Sequence, residues 1–310
     1  MNRTFIIGTR GSELAKKQTQ IVIELLREKL PNIKFEQRII KTTGDRILDV
    51  ALSKIGDKGL FVKEIETALL NQDIDIAVHS YKDLPTESPD ELVIAAVPER
   101  AKPFDLLVTR DGSTLDGLPE NAEVFTSSLR RRAQLLAARP DISVLEIRGN
   151  VETRLNKFYK SDKHGIILAQ AGLERLNISD HAFQVLPFYT MLPAPAQGAL
   201  AVQVRRKDEE TLKVVRAINN AHSEICVHAE RAFLHRLEGG CQTPVAALCQ
   251  DIGGNRLLIG RVLSLDGSQS ITGRRLINPK SAEQDGRCLA EDLLQRKAAD
   301  ILEGIRAKQE

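Results

Sequence analysis

From Thr4 to Arg205 the chain alternates short β-favouring runs with longer stretches of helical period, and this alternation limits the fold more than any other feature. The β-rich runs are "TFIIGT", "FEQRII", "IDIAV", "LVIAAV", "DLLVT", "EVFT", "SVLEI", "GIILA" and "ALAVQV". Between many of them apolar residues recur at helical spacing, notably over Val62–Leu70, Leu129–Arg139 and Val151–Tyr159. Runs in this order build βαβ units around a largely parallel sheet covered by helices. Ser12 can cap the first helix, on which Leu14, Gln18, Ile21 and Leu25 are expected to share one face.

At 310 residues the chain exceeds what one core usually organises. "TRGSELAKKQ" at Thr9 and "TSSLRRRAQL" at Thr126 echo each other: each follows a strand, carries hydroxyl and arginine side chains, and opens a helix. Two similar α/β domains follow, residues 1–98 with 199–217 and residues 104–192, joined at proline-marked crossings near "VPERAKPFD" and "LPAPAQGA". A chain that crosses twice resembles a hinge. After residue 220 the rhythm changes to a helix over Ser223–Leu237, three strand-like runs ("PVAALCQ", "LLIGRVLS", "SQSITGRRLI") and a final helix from Ala282. Residues 221–310 are therefore expected to form a smaller α+β domain.

Charge excludes some classes. The formal net charge is +2, from 44 basic and 42 acidic residues, so the whole molecule has no electrostatic reason to seek nucleic acid or an anionic membrane. No apolar run approaches the roughly 20 residues of a membrane span, and the opening apolar run is too short for a signal peptide, which predicts a soluble, cytoplasmic protein. The cysteines at 226, 241, 249 and 288 lack C-x-x-C spacing, so neither a metal site nor a disulfide framework is expected.

In open α/β sheets ligands bind beyond the carboxyl ends of the strands. Thr9, Arg10 and Ser12 follow "FIIG"; His79, Ser80, Lys82 and Asp83 follow "IDIAV". Thr126, Ser127, Ser128 and Arg130–Arg132 follow "EVF"; Arg148, Gly149, Asn150 and Arg154 follow "SVLEI"; Arg175 follows "GIILA". Any one arginine reads as an ordinary surface residue, and at least one of Arg130–Arg132 is expected to be that. Recurrence at strand ends instead predicts a basic cleft for a ligand with several negative groups, since guanidinium forks hold carboxylates and helix N-termini favour anions. Asp83 is the acid of this set; beside cations it should stay ionised, able to stabilise a developing cation or relay a proton. His79 reads as a packed structural residue. "GDKGLF" is not a phosphate-binding loop; its Lys54 and Lys58 flank a glycine-rich segment, ending in Phe61, that suits a mobile loop.

Eight stretches in order, "GTRGSELA", "GDKGLFVKEIE", "DIAVHSYKDLP", "TSSLRRRAQL", "IRGNVETRL", "AGLERL", "PAPAQGALA" and "LEGGCQTPVA", resemble the porphobilinogen deaminase (hydroxymethylbilane synthase) family. The resemblance implies two periplasmic-binding-protein-like α/β domains with a hinge plus the C-terminal α+β domain. It implies a monomeric cytoplasmic transferase of tetrapyrrole and heme biosynthesis that condenses four porphobilinogen molecules, each losing ammonia, into hydroxymethylbilane. It makes Cys241 the attachment point of a dipyrromethane cofactor through a thioether. The glycines beside Cys241 let backbone approach a bulky ligand, and Pro244 limits the turn. By the same correspondence Arg10, Ser12, Lys82, Arg130, Arg131, Arg148, Arg154 and Arg175 contact carboxylates, cofactor or substrate. Thr126, Ser127 and Ser128 are hydroxyl donors, Gln18 and Gln197 polar contributors, and Asp83 stabilises the azafulvene formed as the amino group departs.

The chain departs from the family pattern at Tyr81, where an aliphatic residue is expected, at Lys16 and Lys17, and at Ala196, where glycine is frequent. A two-domain anion- or solute-binding protein without catalysis is the alternative that a basic cleft leaves open. A cysteine-nucleophile hydrolase would need a histidine beside Cys241, which sequence does not place.

Overall fold

The computed structural model describes residues 3–42, 62–179, 182–237 and 243–307. These fall into two compact units, residues 1–101 with 198–224, and residues 102–197 with 225–310.

The first unit is built on a five-stranded sheet of order β2-β1-β3-β10-β4, with β1 Thr4–Thr9, β2 Lys34–Ile39, β3 Ile76–Ser80, β4 Leu92–Ala96 and β10 Leu200–Arg205. β1 runs parallel to β2 and β3, whereas β10 runs antiparallel to β3 and β4. Helix α1 (Glu13–Lys29) closes one face, burying Val22, Ile23 and Leu26 against Phe5, Ile7 and Val78. Helix α2 (Lys63–Leu70) closes the other, where Ile65 and Leu69 meet Ala77.

The second unit holds a sheet of order β7-β6-β8-β5-β9: β5 Asp105–Val108, β6 Glu123–Phe125, β7 Ser143–Leu145, β8 Gly165–Ala169 and β9 Phe183–Leu186. β6 is parallel to β7 and β8, and β5 is antiparallel to β8 and β9. The two sheets thus share one plan, three parallel strands followed by a strand that the chain supplies as it passes between segments. This is the two-domain α/β class expected from the sequence. Helices α3 (Leu129–Ala138), α4 (Val151–Tyr159) and α5 (Gln170–Arg175) follow β6, β7 and β8. In the first unit, α6 (Glu209–Arg216) follows β10.

After α7 (Ala221–Arg236) comes an antiparallel sheet of β11 Val245–Ile252, β12 Asn255–Leu263 and β13 Ser270–Leu276, packed on α8 (Ala282–Leu293) and α9 (Ala299–Arg306). The turn between β12 and β13 rests on α3: at Gly267 (φ +74°) a Cβ would come 2.4 Å from Ala133 O and 2.6 Å from Ala137 N.

Three expectations need correction. The buried face of α1 is Gln18, Thr19, Val22, Ile23 and Leu26, so of the expected stripe of Leu14, Gln18, Ile21 and Leu25 only Gln18 is fully buried, while Ile21 and Leu25 flank the core half-buried. His79 and Ser80 are the last residues of β3 rather than part of the following loop, and Tyr81–Asp83 form a 3-10 turn. The final helix is two helices, broken where Lys297 takes φ +72°.

Candidate functional site

In the first unit, β1 and β3 are parallel neighbours, so Thr9 and Ser80 end at the same sheet edge. Ser12 caps α1, its hydroxyl accepting the Ala15 N–H at 3.3 Å, so the half-buried Arg10 stands in the turn ahead of a helix N-terminus. Gln18 is buried on that helix; its Nε2 donates to Ser80 Oγ at 2.8 Å and the hydroxyl returns a bond to Oε1 at 3.1 Å. The pair locks α1 to the end of β3. Lys82 is half-buried and Asp83 exposed in the 3-10 turn that follows, while the unexpected Tyr81 is buried.

In the second unit the same device recurs. Ser128 caps α3 by accepting the Arg131 N–H at 3.4 Å, as Ser12 caps α1, which gives the sequence echo its physical meaning. Thr126 Oγ1 accepts from Ser128 N at 3.2 Å. Thr126 and Ser128 therefore each keep a hydroxyl hydrogen to donate. Ser127 is different: Oγ donates to Ile147 O at 2.5 Å and accepts from Ile147 N at 3.0 Å, tying the end of β6 to the turn after β7. That turn carries the half-buried Arg148, then Gly149 at φ +117°, then Asn150, which caps α4 by accepting Thr153 N at 2.8 Å. Arg154 Nε donates to Gly149 O at 2.7 Å, bringing this half-buried guanidinium back over the turn. Arg175, at the end of α5, is pushed down to about 10 by burial, with Glu174 opposing the shift in part. It is half-buried and remains a cation near pH 7.

Arg130 and Arg131 are buried, and their guanidiniums turn onto Asp105. Arg130 Nη1 meets Oδ2 at 2.8 Å and Leu192 O at 2.7 Å; Arg131 Nη2 meets Oδ1 at 2.7 Å, and its Nη1 donates to Ile167 O at 3.0 Å. Burial alone would raise the Asp105 carboxyl, but the two cations outweigh it and hold it well below the usual carboxylate range. Burial pushes Arg130 down, with Asp105 opposing. One carboxylate between two guanidiniums leaves the cluster net positive. Arg132 is the exposed surface member of the three.

Gln197, buried, donates through Nε2 to Asp105 Oδ1 at 2.9 Å and to Pro103 O at 2.6 Å. Its neighbour Ala196 has φ +62°, the conformation that glycine adopts without cost, which accounts for glycine being frequent there and leaves the alanine without a structural explanation. The Ala196 N–H is held at 2.6 Å by Glu230 Oε2 of α7, and Glu230 Oε1 accepts from Cys249 N at 2.7 Å. Asp105 and Glu230 went unmarked in the sequence. Their signal was an acid opening a four-residue strand buried throughout, and a glutamate on the helical stripe shared by Cys226, Val227, Ala229 and Phe233.

Cys226 and Cys249 are buried; Cys288 is only half-buried, its Sγ 3.5 Å from Gln284 Nε2. Lys54, Lys58, Phe61 and Cys241 lie outside the described residues. Among the described residues no helix is long and apolar enough to cross a membrane.

Two family models match the chain: "Porphobilinogen deaminase, dipyromethane cofactor binding domain" over residues 5–213 and "Porphobilinogen deaminase, C-terminal domain" over residues 224–295. The porphobilinogen deaminase of Syntrophomonas wolfei is 50% identical over 97% of this chain and 98% of its own length. That of Desulforudis audaxviator is 47% identical over 99% of each chain, and that of Brevibacillus brevis 48% identical over 96% of each. These matches set aside the alternative of a binding protein without catalysis. On the strength of two adjoining family models and near full-length identity of about half, the chain belongs to the porphobilinogen deaminase family.

Proposed function

We propose that the hydroxymethylbilane synthase activity of this family member runs on the two sets of strand-end residues, with Cys241 holding the dipyrromethane. The activity is a transferase reaction: four porphobilinogen molecules condense head to tail, each losing ammonia. The observation that carries the assignment of residues is the donor set of the second unit, where Thr126 and Ser128 retain hydroxyl hydrogens and Arg154 is folded back over the turn that carries Arg148.

This donor set fits a dipyrromethane, whose rings bear acetate and propionate groups. Arg148, Arg154 and Arg175 would hold carboxylates through bidentate forks, with the N-termini of α3 and α4 adding favourable dipoles. Arg10, Ser12 and Lys82 do the same at the edge of the first sheet. When bound, the dipyrromethane supplies the pyrrole carbon to which the first new ring is joined. Asp83 accepts pyrrole N–H bonds and carries protons during loss of the amine and, after carbon–carbon bond formation, loss of the ring α-proton. Arg130 and Arg131 act through Asp105 by fixing the start of α3 and by leaving net positive charge there. Gln197 steadies that cluster, Ser127 steadies the Arg148 turn, and Gln18 steadies the end of β3.

We further infer a three-part division of labour among residues 1–98 with 199–217, 104–192, and 221–310, the last carrying Cys241. The enzyme acts as a cytoplasmic monomer on a small-molecule substrate, without nucleic acid or membrane; a net charge of +2 fits that reading.

The test is the intact mass of the purified protein beside that of Cys241→Ser. The expected result is an excess of one two-pyrrole unit in the wild type alone. A bare mass that stays unchanged on incubation with porphobilinogen overturns the attachment, and full turnover by Asp83→Ala overturns the role of that carboxylate.

A further inference from the structure

A polar chain on the α2 side of the first sheet, running from half-buried Glu66 to buried Gln203 and His79, has no part in the site described above. Glu66 of α2 accepts hydrogen bonds from the Ser88 hydroxyl and, at 2.9 Å, from Gln203 Nε2. Gln203 is wholly buried in β10 and turns its Oε1 to His79 Nε2 at 3.0 Å. A carboxylate only accepts, so the amide nitrogen faces Glu66 and the amide oxygen faces the imidazole. The ring must then carry its hydrogen on Nε2, which leaves Nδ1 as a bare lone pair.

Burial, abetted by the charge of Arg10 and opposed by the Gln203 bond, pushes His79 down to about 4 and keeps the ring neutral near pH 7. Nδ1 makes no hydrogen bond among the described residues, yet it is not among their fully occluded orphan atoms. It belongs to the penultimate residue of β3, on the strand that leads directly to Lys82 and Asp83. A second carboxylate at this position would pair with Arg10 and cancel its charge. A neutral nitrogen accepts a hydrogen bond without placing a further negative charge beside Arg10.

We propose that Glu66 and Gln203 are positioning residues that fix His79 as its Nε2–H tautomer, so that Nδ1 accepts a pyrrole N–H of the bound substrate. The identity of that donor rests on the proposed function; the tautomer does not.

The test has two arms. Nitrogen-15 NMR of the wild-type imidazole near pH 7, without substrate, is expected to show Nε2 protonated and Nδ1 bare; the opposite tautomer overturns the proposal. In the second arm, His79→Asn places an amide oxygen where Nδ1 stood, and His79→Gln reproduces only the bond to Gln203. The expected result is a KM for porphobilinogen near wild type in the Asn variant and raised about tenfold in the Gln variant, the equivalent of one hydrogen bond. A normal KM in the Gln variant with a raised one in the Asn variant would assign His79 a packing role and overturn the proposal. Absence of turnover in the wild type would count against the proposed function alone, since the tautomer is read without substrate.

Discussion

Gln197 Nε2 stands 2.9 Å from Asp105 Oδ1, the same oxygen that Arg131 Nη2 holds at 2.7 Å. A residue from the chain's return segment thus completes the shell of the one carboxylate between two buried arginines. Asp105→Asn keeps the shape but leaves two guanidiniums without a counter-charge, and is expected to cost about 3–5 kcal/mol. Gln197→Ala leaves that ion pairing intact and should cost about 1 kcal/mol. Urea unfolding of the two variants checks the order, and an Asp105→Asn protein as stable as wild type would refute it.

Stability should fall as the solution is acidified below pH 6.5. In the unfolded chain His79 takes up a proton near 6.5, whereas in the folded chain it does so only at about 4. Between those values the unfolded state binds more protons, so acidification removes about 3 kcal/mol in all, and the loss levels off below the folded value. Glu66, raised by burial, works in the opposite sense near its ordinary 4.5. The clean window is therefore roughly pH 6.5 to 5. Unfolding free energies through that window should slope in the wild type and be flatter in His79→Gln.

Ser127 and Ser128 are adjacent and should fail differently. Ser127→Ala strips both bonds from Ile147 and is expected to destabilise the fold by about 1–3 kcal/mol. Ser128→Ala removes a helix cap, about 1 kcal/mol, and also a hydroxyl assigned to the ligand. Thermal unfolding alongside KM separates them: the larger stability loss should fall at 127 and the larger KM increase at 128.

Gly149→Ala should be worse than its size suggests. A side chain at φ +117° is strained by about 1–3 kcal/mol. Its Cβ would also lie 2.6 Å from Thr153 Cγ2, on the first turn of α4. The expected outcome is lower stability together with at least a tenfold drop in kcat/KM, because the same turn presents Arg148 and Arg154. Unchanged kinetics would remove these arginines from the site.

Much of this was legible in the chain because strand ends, serine caps and glycine turns are local events. The pairing of "TRGSELA" with "TSSLRRR" needed only two helix starts to be read alike, and both proved to be serine-capped. What escaped depends on distant partners. Nothing near Arg130 in the sequence announces Asp105, which lies 25 residues earlier. On α1 the sequence placed Gln18 on the inward face but not its partner Ser80, 62 residues away, and it missed that Thr19, Val22, Ile23 and Leu26 complete that face. The break at Lys297 carries no glycine or proline to mark it.

The contact of Gly267 with α3 has a consequence for how such chains diverge. With backbone seated against backbone, the β12–β13 hairpin acts as a gauge between the C-terminal sheet and the helix that Ser128 begins. Lengthening that hairpin by a residue, or giving its tip a side chain, would push on the helix rather than on solvent. C-terminal segments should therefore be exchangeable between relatives only where the hairpin length is kept, however freely the outer faces of the same strands have drifted.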